Sequence, residues 1–179
     1  MRIVKIIGAG ALLIALGSGS AFAAGGGDSG GATNTSTQCK NGKVYSEQMK
    51  KCVDAEESML DDDALYEAGR AFAQAGRYGE AITVLSTIAA NGDPRVLNYL
   101  GFSHRKQGRI AVGLGYYEEA LRINPDFTLA REYMGEAYLQ LGDVGSARNQ
   151  LREIADRCGT ACDEYLELER QIDDHMREI

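Results

Sequence analysis

Three glycines in this 179-residue chain, Gly69, Gly101 and Gly135, are each followed twelve residues later by a second small residue, Ala81, Gly113 and Ala147. The flanking positions also recur: Leu65, Ala68, Phe72 and Leu85; then Leu97, Leu100, His104 and Tyr117; then Arg131, Met134, Tyr138 and Leu151. Copies two and three are offset by 34 residues and copies one and two by 32, which puts a shortened connection at Asn91-Gly92-Asp93-Pro94. From Leu60 onward the pattern is helical. Asp61, Asp62 and Asp63 load the start of the first helix with the negative charge its macrodipole favours, Gly76 closes the first turn, and residues 79–90 return as the partner helix. Asp93 can cap a helix whose first position is Pro94, and Gly108 separates it from a helix at about 110–122. A third pair runs over about 128–141 and, after Gly142-Asp143, to about 157. The last helix, from about Ala161 to Glu178, carries Tyr165, Leu168, Ile172 and Met176 as a one-sided apolar stripe, the pattern of a lid over the final unit.

The repeat resembles the tetratricopeptide repeat, a helix-turn-helix unit with large residues at fixed places and small ones where two helices touch. The middle copy fits best, continuing to Ala120 and to Asn124-Pro125, where the family usually has its closing proline. The resemblance implies an all-α solenoid of three helical hairpins over residues 60–161 (62–93, 94–127 and 128–161), followed by a capping helix at 162–179. It implies an architecture, not a ligand.

In this family the first helix of each unit lines an inner groove. Carried over residue by residue, the resemblance places Tyr66 and Arg70 there from the first unit, Arg95, Asn98, Phe102 and Arg105 from the second, and Leu129, Glu132, Glu136 and Leu139 from the third. The second set falls at i, i+3, i+7 and i+10, so two arginines, an amide and a ring share one face. Arginine offers a planar fork for a carboxylate and asparagine can read a peptide backbone. Phe102 is the expected apolar anchor, and Arg105 is expected to attract an acidic peptide at long range. Some family members clamp the C-terminal carboxylate of a chaperone with two lysines and two asparagines. Here arginine and glutamate occupy several comparable places, and that partner is not carried over.

Residues 1–23 read as a cleaved secretory signal: Arg2 and Lys5, an apolar run from Ile6 to Leu16, and Ala21-Phe22-Ala23. Residues 24–38, rich in Gly, Ser, Thr and Asn, read as a flexible linker. Cleavage takes the formal charge from -7 to -9, as 17 of the 19 Lys+Arg remain against 26 Asp+Glu. Such acidity argues against nucleic acid as a partner, and after cleavage no stable membrane insertion is expected. The four cysteines form two local pairs, Cys39 with Cys52 and Cys158 with Cys162, which suits disulfides in a periplasmic or secreted protein. Neither spacing is that of a zinc knuckle, and only His104 and His175 could assist a metal.

The cysteine-bracketed segment 39–53 holds the turn signal Asn41-Gly42 and four lysines, Lys40, Lys43, Lys50 and Lys51, and reads as a stapled hairpin. It is expected to be a solubilising cap whose disulfide can be removed without disturbing the repeats. Cys158–Cys162 is expected to fix the docking angle of the lid, its spacing not being the Cys-x-x-Cys redox motif.

No phosphate-cradling glycine loop, Gly-x-Ser-x-Gly elbow, His-Glu-x-x-His or nucleophile with a matched base occurs, and His104 sits at a repeat position expected to be core. The expectation is an exported, non-catalytic protein without a cofactor, whose groove holds a peptide or helix of another envelope protein. The alternatives are a homo-oligomeric scaffold built by self-association, and a thiol-redox protein using Cys158 and Cys162.

Overall fold

A computed structural model describes residues 38–178; the expected signal segment and residues 24–37 of the expected linker lie outside them. A two-stranded hairpin, β1 (Val44–Ser46) and β2 (Lys51–Val53), precedes seven α-helices. These are α1 (Asp62–Gln74) with α2 (Tyr78–Ser86), α3 (Pro94–Lys106) with α4 (Ile110–Ile123), α5 (Thr128–Gln140) with α6 (Val144–Cys158), and a last helix, α7 (Asp163–Glu178). The architecture is the all-α one expected, three stacked helical hairpins and a closing helix.

Local chemistry accounts for most boundaries. The Asp61 carboxylate accepts from the Ala64 amide, Asp93 from the Arg95 amide and Asp143 from the Ser146 amide, each satisfying an amide that the helix start would otherwise leave bare. The turn between the helices of each unit passes through a glycine at positive φ: Gly76 at 74°, Gly108 at 79° and Gly142 at 75°. Only α2 departs from expectation, stopping at Ser86 rather than near residue 90. The connection is two residues short, so the chain tightens into a 3-10 turn at Ala89–Asn91 and reverses at Gly92, φ 74°.

Side chains of α1, α2 and α3 form one apolar cluster around Leu65, Phe72, Val84, Leu85, Val96 and Leu100. A second cluster joins α5, α6 and α7 through Leu139, Ala147, Ile154, Leu168 and Ile172. Burying each large side chain of this kind stabilises by about 1.5–3 kcal/mol before entropy is counted. The repeat glycines permit the close approaches. A Cβ on Gly101 would lie 2.6 Å from Tyr117 Cε1 and 3.0 Å from the Gly113 carbonyl oxygen. A Cβ on Gly135 would instead strike Leu168 of α7 at 2.6 Å, so the third glycine is the socket into which the lid docks. Of the lid stripe, Leu168 and Ile172 are buried, while Met176 lies past the last unit and is 42% exposed.

The hairpin is not an independent knob. Cys39 and Cys52 are joined (S–S 2.00 Å), Val44 opposite Val53 is fully buried, and Val44 belongs to the same cluster as Leu65 and Val84. The Gly42 amide donates to Glu80 Oε1 at 3.1 Å, and Arg77 donates to the Cys39 carbonyl. This corrects the expectation of a separable cap: apolar docking of Val44 and hydrogen bonds to α2 make the hairpin part of the first unit. Replacing Cys39 and Cys52 together by serine should therefore raise amide exchange in residues 78–86 as well as in the hairpin. Protection of α2 unchanged from wild type would contradict the docking.

Candidate functional site

The first helices α1, α3 and α5 lie side by side, and aromatic rings run across them. Tyr66 meets Tyr99 edge-on with centroids 6.0 Å apart, Tyr99 meets Phe102 at 6.1 Å, and Phe102 meets Tyr133 at 5.0 Å. Tyr78 adds a fourth contact, 5.9 Å from Phe102. Phe102 is half-buried at the centre of this strip, whereas Tyr66 is 8% exposed and belongs to the core. Tyr99 and Tyr133 were missed as strip residues. Their recurrence 34 positions apart, the same offset as Gly101 and Gly135, is the signal that points to them.

The three arginines expected in the groove, Arg70 and the two of the second unit expected to meet a carboxylate, are already engaged. Arg70 donates from Nε to the Tyr99 hydroxyl (3.2 Å) and pairs with Glu67 at 3.0 Å. Arg95 is exposed at the start of α3, where it pairs with Asp93 and Asp63 at 2.6 Å each, with its guanidinium 4.6 Å from the Tyr66 ring centre. Arg105 is 2% exposed; it pairs with Glu136 at 2.6 Å and donates to the Tyr117 hydroxyl at 3.2 Å. Burial penalises its charge, but Tyr117 and Glu136 outweigh that, and its pKa stands above the usual arginine value. The expectation that Arg105 acts by long-range attraction is thereby corrected: a buried, ion-paired guanidinium presents little field to solvent.

Asn98 is fully buried, and neither its amide nitrogen nor its oxygen has a hydrogen-bond partner among the described residues. The two terminal nitrogens of Arg105 likewise form no hydrogen bond, although one is within ion-pair distance of Glu136. Orphaned polar atoms at this depth cost about 1–3 kcal/mol each, so a protein that keeps them on one helix stripe keeps them at a cost to stability.

On α5, Glu132 is 7% exposed and no hydrogen bond or ion pair reaches it among the described residues. Glu136, one turn on, accepts from Gln171 of α7 at 3.2 Å. Burial, followed by the charges of Glu136, Glu167 and Glu164, pushes the Glu132 carboxyl up to about 8, with Arg105 pulling the other way. A native state that holds this proton between pH 4.5 and about 8, while the unfolded chain releases it, loses stability as pH rises through that window. Glu132→Gln should flatten this dependence by up to about 3 kcal/mol. Urea midpoints of the two proteins that fall in parallel from about pH 5 to about pH 8 would rule the assignment out.

Leu129 is partly buried, and Leu139, 7% exposed, belongs to the apolar cluster it forms with Ile154, Leu168 and Ile172. His104 is buried against Tyr116, ring centres 5.3 Å apart, and its pKa is lowered by burial and by Arg109. At the far end Cys158 and Cys162 are bonded to each other (S–S 2.06 Å), with the Glu164 carboxylate nearby. Among the described residues no helix is long and apolar enough to cross a membrane.

A family model described as the tetratricopeptide repeat matches residues 55–95 and 100–161. Comparison with curated proteins finds no match. Among solved structures, the first such domain of Spaghetti (RPAP3), bound to the HSP90 peptide SRMEEVD, is 20% identical with a TM-score of 0.56, covering 66% of this chain and 97% of that one. The Yersinia enterocolitica type III secretion chaperone SycD, in complex with a peptide of the translocator YopD, is 18% identical with a TM-score of 0.56, over 68% and 95% of the two chains. A thermophilic protein of the same repeat class from Thermus thermophilus is 19% identical, TM-score 0.56, over 69% and 73%. At these identities the likeness is one of fold.

Proposed function

The chain belongs to the tetratricopeptide repeat family, and from that premise we propose that it is a non-catalytic interaction module whose inner face binds an extended segment of another protein. The observation that carries this reading is the half-buried Phe102 at the centre of the aromatic strip that runs across α1, α3 and α5. Aromatic side chains give a binding segment large contact area with few rotors. Two of the similar folds were captured with peptides, which agrees with this use of the architecture. Two formed disulfides suit an oxidising compartment, and we place the working protein in the cell envelope or outside the cell.

A display library of randomised linear peptides, selected on the full chain, tests the proposal. Phe102→Ala should weaken the selected peptides by roughly 1–3 kcal/mol, while Glu118→Lys on the opposite side should leave them unchanged. Peptides insensitive to Phe102→Ala would place binding elsewhere.

A further inference from the structure

We propose that Cys158, Cys162 and Glu164, once the bond between the two sulfurs is reduced, form a site for a thiophilic divalent cation of the Zn²⁺ class at the junction of α6 and α7. None of the three belongs to the aromatic strip, and the site stands independently of the groove reading.

α6 ends at Cys158, and Gly159, at φ 81°, turns the chain out of the helix. Gly159, Thr160 and Ala161 are exposed, and Cys162 stands immediately before α7. The break brings the two cysteines together from the ends of two helices, with Cα atoms 6.0 Å apart. Glu164, the second residue of α7, adds a carboxylate oxygen, and the three donor atoms lie within 4.8 Å of one another. Among the described residues, no other three His, Cys, Asp or Glu side chains converge in this way.

Two thiolates and a carboxylate are three of the four ligands of a tetrahedral zinc site, whose bond lengths set the donors about 3.5–3.8 Å apart. Freed of their bond, the sulfurs reach that spacing by side-chain rotation. Cys158 is exposed and Cys162 and Glu164 are half-buried, so an ion can enter from solvent and a water can fill the fourth position. Three anionic donors this close repel one another, and no hydrogen bond or ion pair engages the Glu164 carboxylate among the described residues. A dication removes that repulsion. The Cys162 carbonyl accepts from the Leu166 amide at 3.1 Å, so the residue stands at the positive end of α7, a setting that favours the metal-binding thiolate. The Cys-x-x-x-Cys spacing hid the site, because neither the break at Gly159 nor the approach of Glu164 is visible in it.

A dithiol reductant supplies the two electrons and two protons that open the Cys158–Cys162 bond to two thiols, and is itself oxidised to a disulfide. The cation then takes both sulfurs as thiolates, and their two protons leave to solvent. Disulfide and cation are thus alternative staples between α6 and α7. Apart from them, α7 is held by its apolar contacts through Leu168 and Ile172 and by the hydrogen bond from Gln171 to Glu136. Amide protection of residues 163–178 should therefore be high in both stapled states and lower in the reduced chain without the cation.

Cobalt(II), whose tetrahedral thiolate complexes absorb in the near ultraviolet where the aqueous ion does not, is the probe for the full chain, reduced without oxygen and freed of reductant. A single equivalent should bind with the thiolate band, Zn²⁺ should displace it, and the oxidised chain should give no band. Cys158→Ser with Cys162→Ser, which keeps Cys39 and Cys52, should lose the band, and Glu164→Gln should weaken affinity about tenfold or more. Amide exchange in residues 163–178 should rise on reduction and fall again with Zn²⁺. No thiolate band in the reduced chain, a band that survives the double substitution, or an affinity unmoved by Glu164→Gln would overturn the site.

Discussion

Arg105→Glu is expected to lower the unfolding free energy by about 3–5 kcal/mol, the largest single effect foreseen for this chain. The side chain is fully enclosed, its guanidinium meets Glu136 at 2.6 Å, and its Nε holds the Tyr117 hydroxyl of the paired helix α4. Reversal would set a buried carboxylate beside Glu136 and near Glu132, three acids with no cation between α3 and α5. Removing the charges in pairs should behave differently. Arg105→Met with Glu136→Leu replaces an ion pair by apolar groups of similar bulk, and such exchanges are near neutral for stability. Urea unfolding followed by helical signal separates the cases: if the single reversal cost under about 1 kcal/mol, the pair would be solvated and the burial assigned here would be wrong.

Gly101→Leu is the second large effect. Its first side-chain carbon alone would lie inside the contact distance of Tyr117 and of the Gly113 backbone, so α3 and α4 would have to separate. Overpacking of this kind costs about 1–3 kcal/mol, and here more, since Tyr117 is fully buried and one obstacle is backbone. The same substitution at Gly115, on α4 with nothing within 4 Å, is the control and should cost little. A melting temperature for Gly101→Leu equal to that of the Gly115 variant would contradict the helix contact.

The repeat was legible because its marks are local or strictly periodic. Glycines at 69, 101 and 135, capping aspartates at 61, 93 and 143, and turn glycines at 76, 108 and 142 each act within one unit. The short link before Pro94 was visible as a deletion of two residues, but not its consequence, the early end of α2. What stayed hidden depends on which distant side chains meet. Arg70 finds Tyr99, 29 residues away on another helix, and Arg105 finds Glu136; no periodicity distinguishes an arginine waiting for a ligand from one already paired. Docking of the N-terminal hairpin was hidden for the same reason, since Val44 is one valine among several until its neighbours are known. The helices that carry the expected groove residues were therefore legible, while the internal partners of their arginines were not.

That the inner face is the working face can be tested by mapping amide shifts of the isotope-labelled full chain with a selected peptide. The account predicts perturbations along α3 and α5, centred on Phe102 and Tyr133, with α4 and α6 changing little. Perturbations concentrated on α4 and α6, around Glu118 and Arg152, would contradict it.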